Sequence, residues 1–335
     1  MPKKPYFSKV FILYFNNNFC VIIGPMDRIF KYTIEKEYEG YKLYTFLKEQ
    51  GFSSQIITDL RKDTALTHIN GLPALLNTFL KQGDQVEIYI IEHKLSEKLL
   101  PYDLLLDIVY EDEDIIVLNK PADMPIHPSQ NNYDNSLANA LAYYYRNEKS
   151  PFVFRCINRL DRDTSGLTVV AKNRVSAAVL SVQMLERKIH RSYYAVVQGI
   201  FAEKEGTIDK PIARVMESTI ERCVDYENGE RAITHYKVLA ENNVISLVKC
   251  HLETGRTHQI RVHMKSEGHP LLGDFLYNPE NHDINRQALH AGELGFIHPV
   301  TGEKLEFIAG FPTDFNSLLN TNGIICDIIQ DGNVK

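Results

Sequence analysis

The 335 residues contain no tryptophan, only five cysteines, and no apolar run long enough to span a bilayer. Cys20, Cys156, Cys223, Cys250 and Cys326 are scattered with no CxxC spacing. That excludes a disulfide framework and predicts reduced thiols in a cytoplasmic protein. The most apolar stretch, VFILYFNNNFCVIIG, is broken by Asn16, Asn17 and Asn18. It is predicted to form two strands of a hairpin, with neither a membrane span nor a signal peptide. Positive charge is also scarce: 37 Lys and Arg against 43 Asp and Glu leave a net charge of -6. A protein that coats nucleic acid by charge alone is thereby excluded, although a basic face on an acidic body is not. Arg155, Arg159, Arg162, Lys172 and Arg174, then Arg187, Lys188, His190 and Arg191, make the middle of the chain locally basic.

The pattern predicts an α+β protein of two units. Residues 1–38 read as an N-terminal hairpin extension. Residues 39–92 carry two short helical stretches, then THINGLPA with an Asn70-Gly71 turn, then an alternating strand in KQGDQVEIYII. This small α+β unit resembles the RNA-binding module shared by a small-subunit ribosomal protein and many RNA-modifying enzymes. Residues 93–106 read as a linker, 107–315 as a larger domain around a mixed, mostly antiparallel sheet with flanking helices, and 316–335 as a tail without interpretable pattern. Within the larger domain Asn173 is expected to cap a helix that turns Val179, Leu180, Val182 and Leu185 inward.

Three segments concentrate chemistry. In NKPADMPIHP, Lys120 and His127 are candidates to meet a phosphate. In NRLDRDTSGL, Asp161 stands between Arg159 and Arg162, whose guanidiniums favour its anion, and Thr164, Ser165 and Gly166 supply turn chemistry before an apolar strand. In HLETGRTHQIRVHMKSEGHPLLGD, Thr257 is a candidate cap of a short helix that Gly268 and Pro270 would end. His258 and Arg261, three apart, share a face of it, so Arg261 can reach a carboxylate from elsewhere. His251, His258, His263 and His269 lie close in sequence, yet match no metal-binding spacing, and no metal is expected.

Taken in order, NKPADMPIHP, NRLDRDTSGL, RSYYAVVQG, GRTHQIRVH, GHPLLGD and LHA…HP resemble the RluA/RluD type of pseudouridine synthase over roughly residues 107–312. The resemblance implies an enzyme that isomerises uridine in RNA to pseudouridine without a guide RNA, a cofactor or an obligatory protein partner. Large-subunit ribosomal RNA is the expected substrate. Transfer RNA, or a non-catalytic ribosome-assembly role, is the alternative. It implies catalytic roles for Asp161, for Tyr193 at the active-site tyrosine, and for Arg261 as partner of the aspartate. Arg159 falls where the family has an arginine that fills the gap left by a flipped base. Asn158, Arg162, Thr164, Ser165, Lys120, His127, Arg256 and His258 are the remaining candidates for substrate binding. Asn158 and Asp123 depart from the family, which often has His and Gly there; Asp tolerates the positive φ that such a glycine would suggest.

Overall fold

The computed structural model describes residues 11–15, 19–23, 27–92, 99–129, 133–147 and 152–324, the first two stretches by their backbone alone. β1 (Phe11–Phe15) and β2 (Phe19–Ile23) pair antiparallel as the expected hairpin. The small module starts earlier than its helices suggest. β3 (Arg28–Thr33) precedes α1 (Leu43–Glu49), α2 (Ser54–Lys62), β4 (Thr67–Ile69), β5 (Leu72–Pro73) and β6 (Gln85–Ile90). β3 pairs with β6 to complete a four-stranded sheet in the order β3-β6-β4-β5. The Asn70-Gly71 turn has both φ angles positive, 52° and 78°, which is what a two-residue hairpin connection demands. Leu43, Phe46, Leu47, Ile56, Ile57 and Leu60 pack beneath this sheet.

The larger domain contains β7 (Ile108–Glu111), β8 (Ile115–Lys120), α3 (Leu137–Tyr144), β9 (Ser165–Ala171), α4 (Arg174–Leu185) and β10 (His190–Gln198). It continues through β11 (Glu205–Asp209), β12 (Ile212–Arg214), β13 (Arg222–Val224), β14 (Ile233–Glu241), β15 (Ile245–Leu252), α5 (Gln259–Ser266), β16 (Leu289–Ile297), β17 (Lys304–Ile308) and α6 (Thr313–Thr321). Its main sheet runs β11-β14-β15-β10-β16-β9-β8-β7, with β17 added beside β16. Every pairing is antiparallel except β16 with β9. The mixed, mostly antiparallel sheet is therefore present.

Two features of this sheet place the site. β16 pairs with β9 only through His290 and Ala291, and with β17 only from Glu293 onward. The sheet forks there, and the segment 159–164 leads directly into β9 at the junction. The close approach requires glycine at 166: φ is +114°, and a Cβ would stand 2.2 Å from the Ala291 carbonyl oxygen. Secondly, β10 is buried on both faces. Tyr193, Ala195 and Val197 face Ile260 and Met264 of α5, while Tyr194 and Val196 face Phe315 and Leu318 of α6.

Some expectations are corrected. α6 crosses the boundary expected at residue 315, and buries Phe315, Leu318 and Leu319, each worth roughly 1.5–3 kcal/mol of apolar burial. Residues 325–335 of the expected tail, residues 1–10, and 93–98 of the expected linker lie outside the described residues. Asn173 caps α4 as expected, accepting from the Val175 and Ser176 amides. That helix turns Val175 and Leu180 inward, however, and leaves Val182 and Leu185 exposed. The reason is the module: Val175 and Val179 pack into its core, so α4 is covered on a side the isolated domain would leave open. Cys156, Cys223 and Cys250 are unpaired thiols.

Candidate active site

Asp161 sits on the loop that delivers β9 to the fork. Its neighbours in sequence do not pair with it. Arg162 binds Asp163 through Nε and Nη2, both at 2.9 Å, and Arg159 makes no hydrogen bond or ion pair among the described residues. The partner comes from α5: Arg261 Nη1 donates to Asp161 Oδ2 at 3.1 Å. Arg261 is itself buried, held by two hydrogen bonds to the fully buried Asp274, Nε to Oδ2 at 2.7 Å and Nη2 to Oδ1 at 2.8 Å. The Tyr277 ring lies 5.0 Å from the same guanidinium. One arginine thus meets two carboxylates, a buried one that fixes it and an accessible one that it presents.

His258 faces the same oxygen, Nε2 standing 3.9 Å from Asp161 Oδ2. It is the residue before α5, with φ +57°, and Thr257 does not cap the helix. Its Nδ1 lies 2.9 Å from the Tyr277 hydroxyl, which accepts from the Arg222 amide at 2.9 Å. A hydroxyl that accepts from Arg222 still has its own hydrogen to give His258 Nδ1, an arrangement compatible with the ring proton on Nε2, toward Asp161. Burial pushes the His258 pKa down, with Asp161 opposing that shift. Oδ1 of Asp161 takes no hydrogen bond among the described residues, and the residue lines the cleft.

The cleft, about 490 Å³, is bounded by Asn158–Asp161 and Thr164, by Arg191 and Tyr193 of β10, by Leu185 and Arg187, and by Thr254, Arg256 and His258. Tyr193 and Arg191 project from the same face of β10, as alternation along a strand dictates. A bulge helps aim Tyr193: Ser192 pairs with Glu293 but Tyr193 with Ala291, so Gly292 is skipped. Burial pushes the Tyr193 phenol up, Arg191 pulls it down, and Asp161 raises it. Its hydroxyl makes no hydrogen bond among the described residues.

Other candidates are tied to the protein itself, some within the cleft lining and some outside it. Lys120 is buried and donates to the carbonyls of Pro121 at 2.7 Å and Arg162 at 2.9 Å, so it clamps the loop and does not reach the cleft. Burial pushes its pKa down to about 7. Asn158 lends its side-chain amide to β9 like another strand, donating to Leu167 O and accepting from Val169 N. Ser165 bonds His290 at 3.0 Å, and Thr164, which lines the cleft, accepts from Gln287. Arg256 lines the cleft but is paired with Glu230. His127 is exposed against Phe154, outside the lining. Asp123 does take a positive φ, 55°.

The four clustered histidines diverge. His263 bonds Thr234 and Lys210, His269 bonds Gln198, and His251 stacks on His190. A different trio, Asp112, Asp114 and His298, comes close enough for a metal. Its atoms are taken by Arg28, Asn173, Tyr110 and main-chain amides. Sequence reasoning missed Asp274, Tyr277 and Arg191. Only Arg191 carried a local signal, its place two residues before Tyr193 on one strand.

Comparison with known proteins agrees with this geometry. The family described as RNA pseudouridylate synthase matches residues 114–266. The uncharacterized RNA pseudouridine synthase YjbO of Bacillus subtilis is 41% identical over 284 residues, covering 85% of this chain and 97% of that protein. Ribosomal large subunit pseudouridine synthase D of Haemophilus influenzae is 41% identical over 252 residues, 71% of this chain and 77% of that one. Human RNA pseudouridylate synthase domain containing 1 superimposes with a TM-score of 0.54 at 29% identity, over 64% of this chain and 87% of its own.

Proposed function

The chain belongs to the RNA pseudouridine synthase family, and from that premise we propose that it isomerises specific uridines of large-subunit ribosomal RNA in the cytoplasm. The observation that carries the reading is the carboxylate of Asp161, pinned through one oxygen by a buried arginine and open to the cleft through the other. The reaction breaks the bond from the sugar to N1 of uracil, turns the base, and joins the sugar to carbon 5. Water must be kept from the separated pieces, so the uridine is flipped into the cleft. Asp161 acts at the sugar, either as nucleophile at the anomeric carbon or as base beside it. Arg261 holds the Asp161 carboxylate through a charge-assisted hydrogen bond and so fixes where it stands relative to the sugar. Tyr193 stacks on the uracil, and its phenol helps remove the proton from carbon 5. Arg159, unpaired at the rim, enters the space the base has left. Relatives named for the large subunit, such as the one from Haemophilus influenzae, support the choice of ribosomal RNA.

Bond formation at carbon 5 expels the hydrogen there. Large-subunit RNA tritiated at carbon 5 of uridine, and lacking its own modification, should release tritium to water without added cofactor. Asp161→Asn should abolish release while RNA binding survives, because phosphate contacts supply most of the affinity. Release from transfer RNA alone would move the substrate to that class. No release from either RNA would leave a binding protein.

A further inference from the structure

We propose that Arg191 is the floor of a phosphate subsite in the cleft, and takes a backbone phosphate of the flipped uridine. The inference rests on the cleft being the place where RNA binds. Besides Arg261, the cleft is lined by Arg159, Arg187, Arg191 and Arg256. Arg187 is paired with Glu253 and Arg256 with Glu230, so their charge is already answered by the protein. Arg159 is exposed, where water serves it at little cost. Arg191 differs from all three. It is 9% exposed, its Nε is buried without a hydrogen-bond partner, and no carboxylate pairs with it among the described residues.

A buried guanidinium Nε–H without an acceptor is costly for a fold to keep, and the rest of the Arg191 side chain borders the cleft with no anion among the described residues. It persists here although the acidic side chains nearby are already paired. Glu253 on the cleft wall is shared by Arg187 and His235. Glu293 beside β10 takes Lys249 and Tyr194. The space around the group is also kept clear: at Gly255 a Cβ would stand 3.1 Å from Arg191 Nη1. Arg191 and Tyr193 stand two positions apart on one strand face, about 7 Å along the backbone. That is the span from a base stacked on Tyr193 to a phosphate of its own nucleotide. Guanidinium is the side chain best suited to a phosphate, since its planar fork donates to two oxygens at once. Substrate would then bring the missing anion, and the cost stored in the free enzyme would be returned on binding.

The test uses the full chain and a twelve-residue oligouridylate as probe, so it does not depend on which uridine is modified. Binding is titrated between 50 and 200 mM salt by fluorescence anisotropy, roughly the range over which phosphate contacts separate. Arg191→Met should weaken binding about ten-fold, as loss of one charge-assisted contact does. It should also reduce the salt slope by about 0.7, the single-strand value for one phosphate. Arg191→Lys should restore most of the slope. Without RNA, Arg191→Met should melt at the same temperature as the natural protein or higher, because an uncompensated charge has gone. A lower melting temperature with unchanged affinity and slope would make Arg191 structural and overturn the proposal. So would unchanged binding together with a shifted pH profile of turnover, which would assign the arginine to Tyr193. If oligouridylate behaves as expected but ribosomal RNA releases no tritium, the subsite stands and the substrate reading fails.

Discussion

The seam between the small module and the catalytic domain uses the same side chains as the cleft and leaves them in the opposite condition. At the seam Asp114 is met by Arg28 and Asn173, Asp59 by Arg174, and Glu92 by Arg155. Asp112 accepts from the Asp114 and Ile115 amides and from Tyr110, and it faces His298. In the cleft, the Arg159 and Arg191 side chains and the Tyr193 hydroxyl have no hydrogen bond among the described residues, and the Asp161 carboxylate is bonded through one oxygen. Charge that the protein satisfies makes structure; charge that it leaves open awaits a substrate. Composition cannot tell the two apart, and only the third dimension does.

The sharpest test of that contrast is Asp274, which carries the chemistry of the seam beneath the cleft. Asp274→Ala leaves Arg261 buried without its two-point partner. The loss should be about 3–5 kcal/mol of stability in denaturant melts, the range for breaking a buried pair from one side. Turnover should fall as well, since Arg261 would no longer be held against Asp161. A loss below about 1 kcal/mol would mean that Arg261 is fixed by other contacts.

Next in size is a pH effect at the fork. His290 bonds Ser165, and burial pushes its pKa down to about 4 from 6.5. Between those values the unfolded chain takes up a proton that the folded chain refuses. Stability is therefore lost as pH falls from about 6.5 to about 4, by about 3 kcal/mol in all. Melts across that range should show the slope, and His290→Gln should remove its share. An identical slope in the variant would assign acid sensitivity to other groups.

What the sequence made legible follows from range. The Asn70-Gly71 turn, the Asn173 cap and the alternating strands depend on neighbours, and were readable from pattern. The pairing of Asp161 with Arg261 spans 100 residues, and it was reached through the order of the motifs; the helical spacing expected of His258 and Arg261 is not present, since His258 precedes α5 in a left-handed conformation. Asp274 and Tyr277 gave no local sign of their roles, because each is defined by what the fold sets beside it. Lys120 departs from expectation for a related reason. A polar side chain in a motif suggests substrate, whereas Lys120 spends its hydrogen bonds on main-chain carbonyls of the loop and lies outside the cleft lining. The outer face of α4 was misread because the module that covers it lies more than a hundred residues upstream.

A smaller effect is expected where the contrast is carried by geometry alone. Tyr277→Phe keeps the ring beneath Arg261 and removes the hydroxyl that orders His258. His258 would then lose the hydrogen-bond partner of its Nδ1. Turnover should fall about ten-fold, equivalent to about 1.4 kcal/mol, while RNA affinity stays within two-fold. Single-turnover rates measured beside binding curves separate the two. An equal loss in both would make Tyr277 part of the RNA surface instead of the support for Asp161.

The smallest effect belongs to the seam's own surface. Arg174 and Asp59 meet at 2.6 Å, yet their side chains remain 27% and 34% exposed. Water already solvates much of both charges, and holding two flexible side chains together costs entropy, so the pair is worth about 0.2–1 kcal/mol. Arg174→Ala should therefore shift the melting temperature by no more than a few degrees and leave tritium release unchanged. The apolar contact of Val175 and Val179 with the module core is left intact by that change and should keep the module docked. Limited proteolysis reads docking directly, because an undocked module exposes the connection around residue 100. If Arg174→Ala leaves melting intact but opens that connection to cleavage, the ion pair sets the module's position rather than its stability, and the seam would share the cleft's dependence on individual charges.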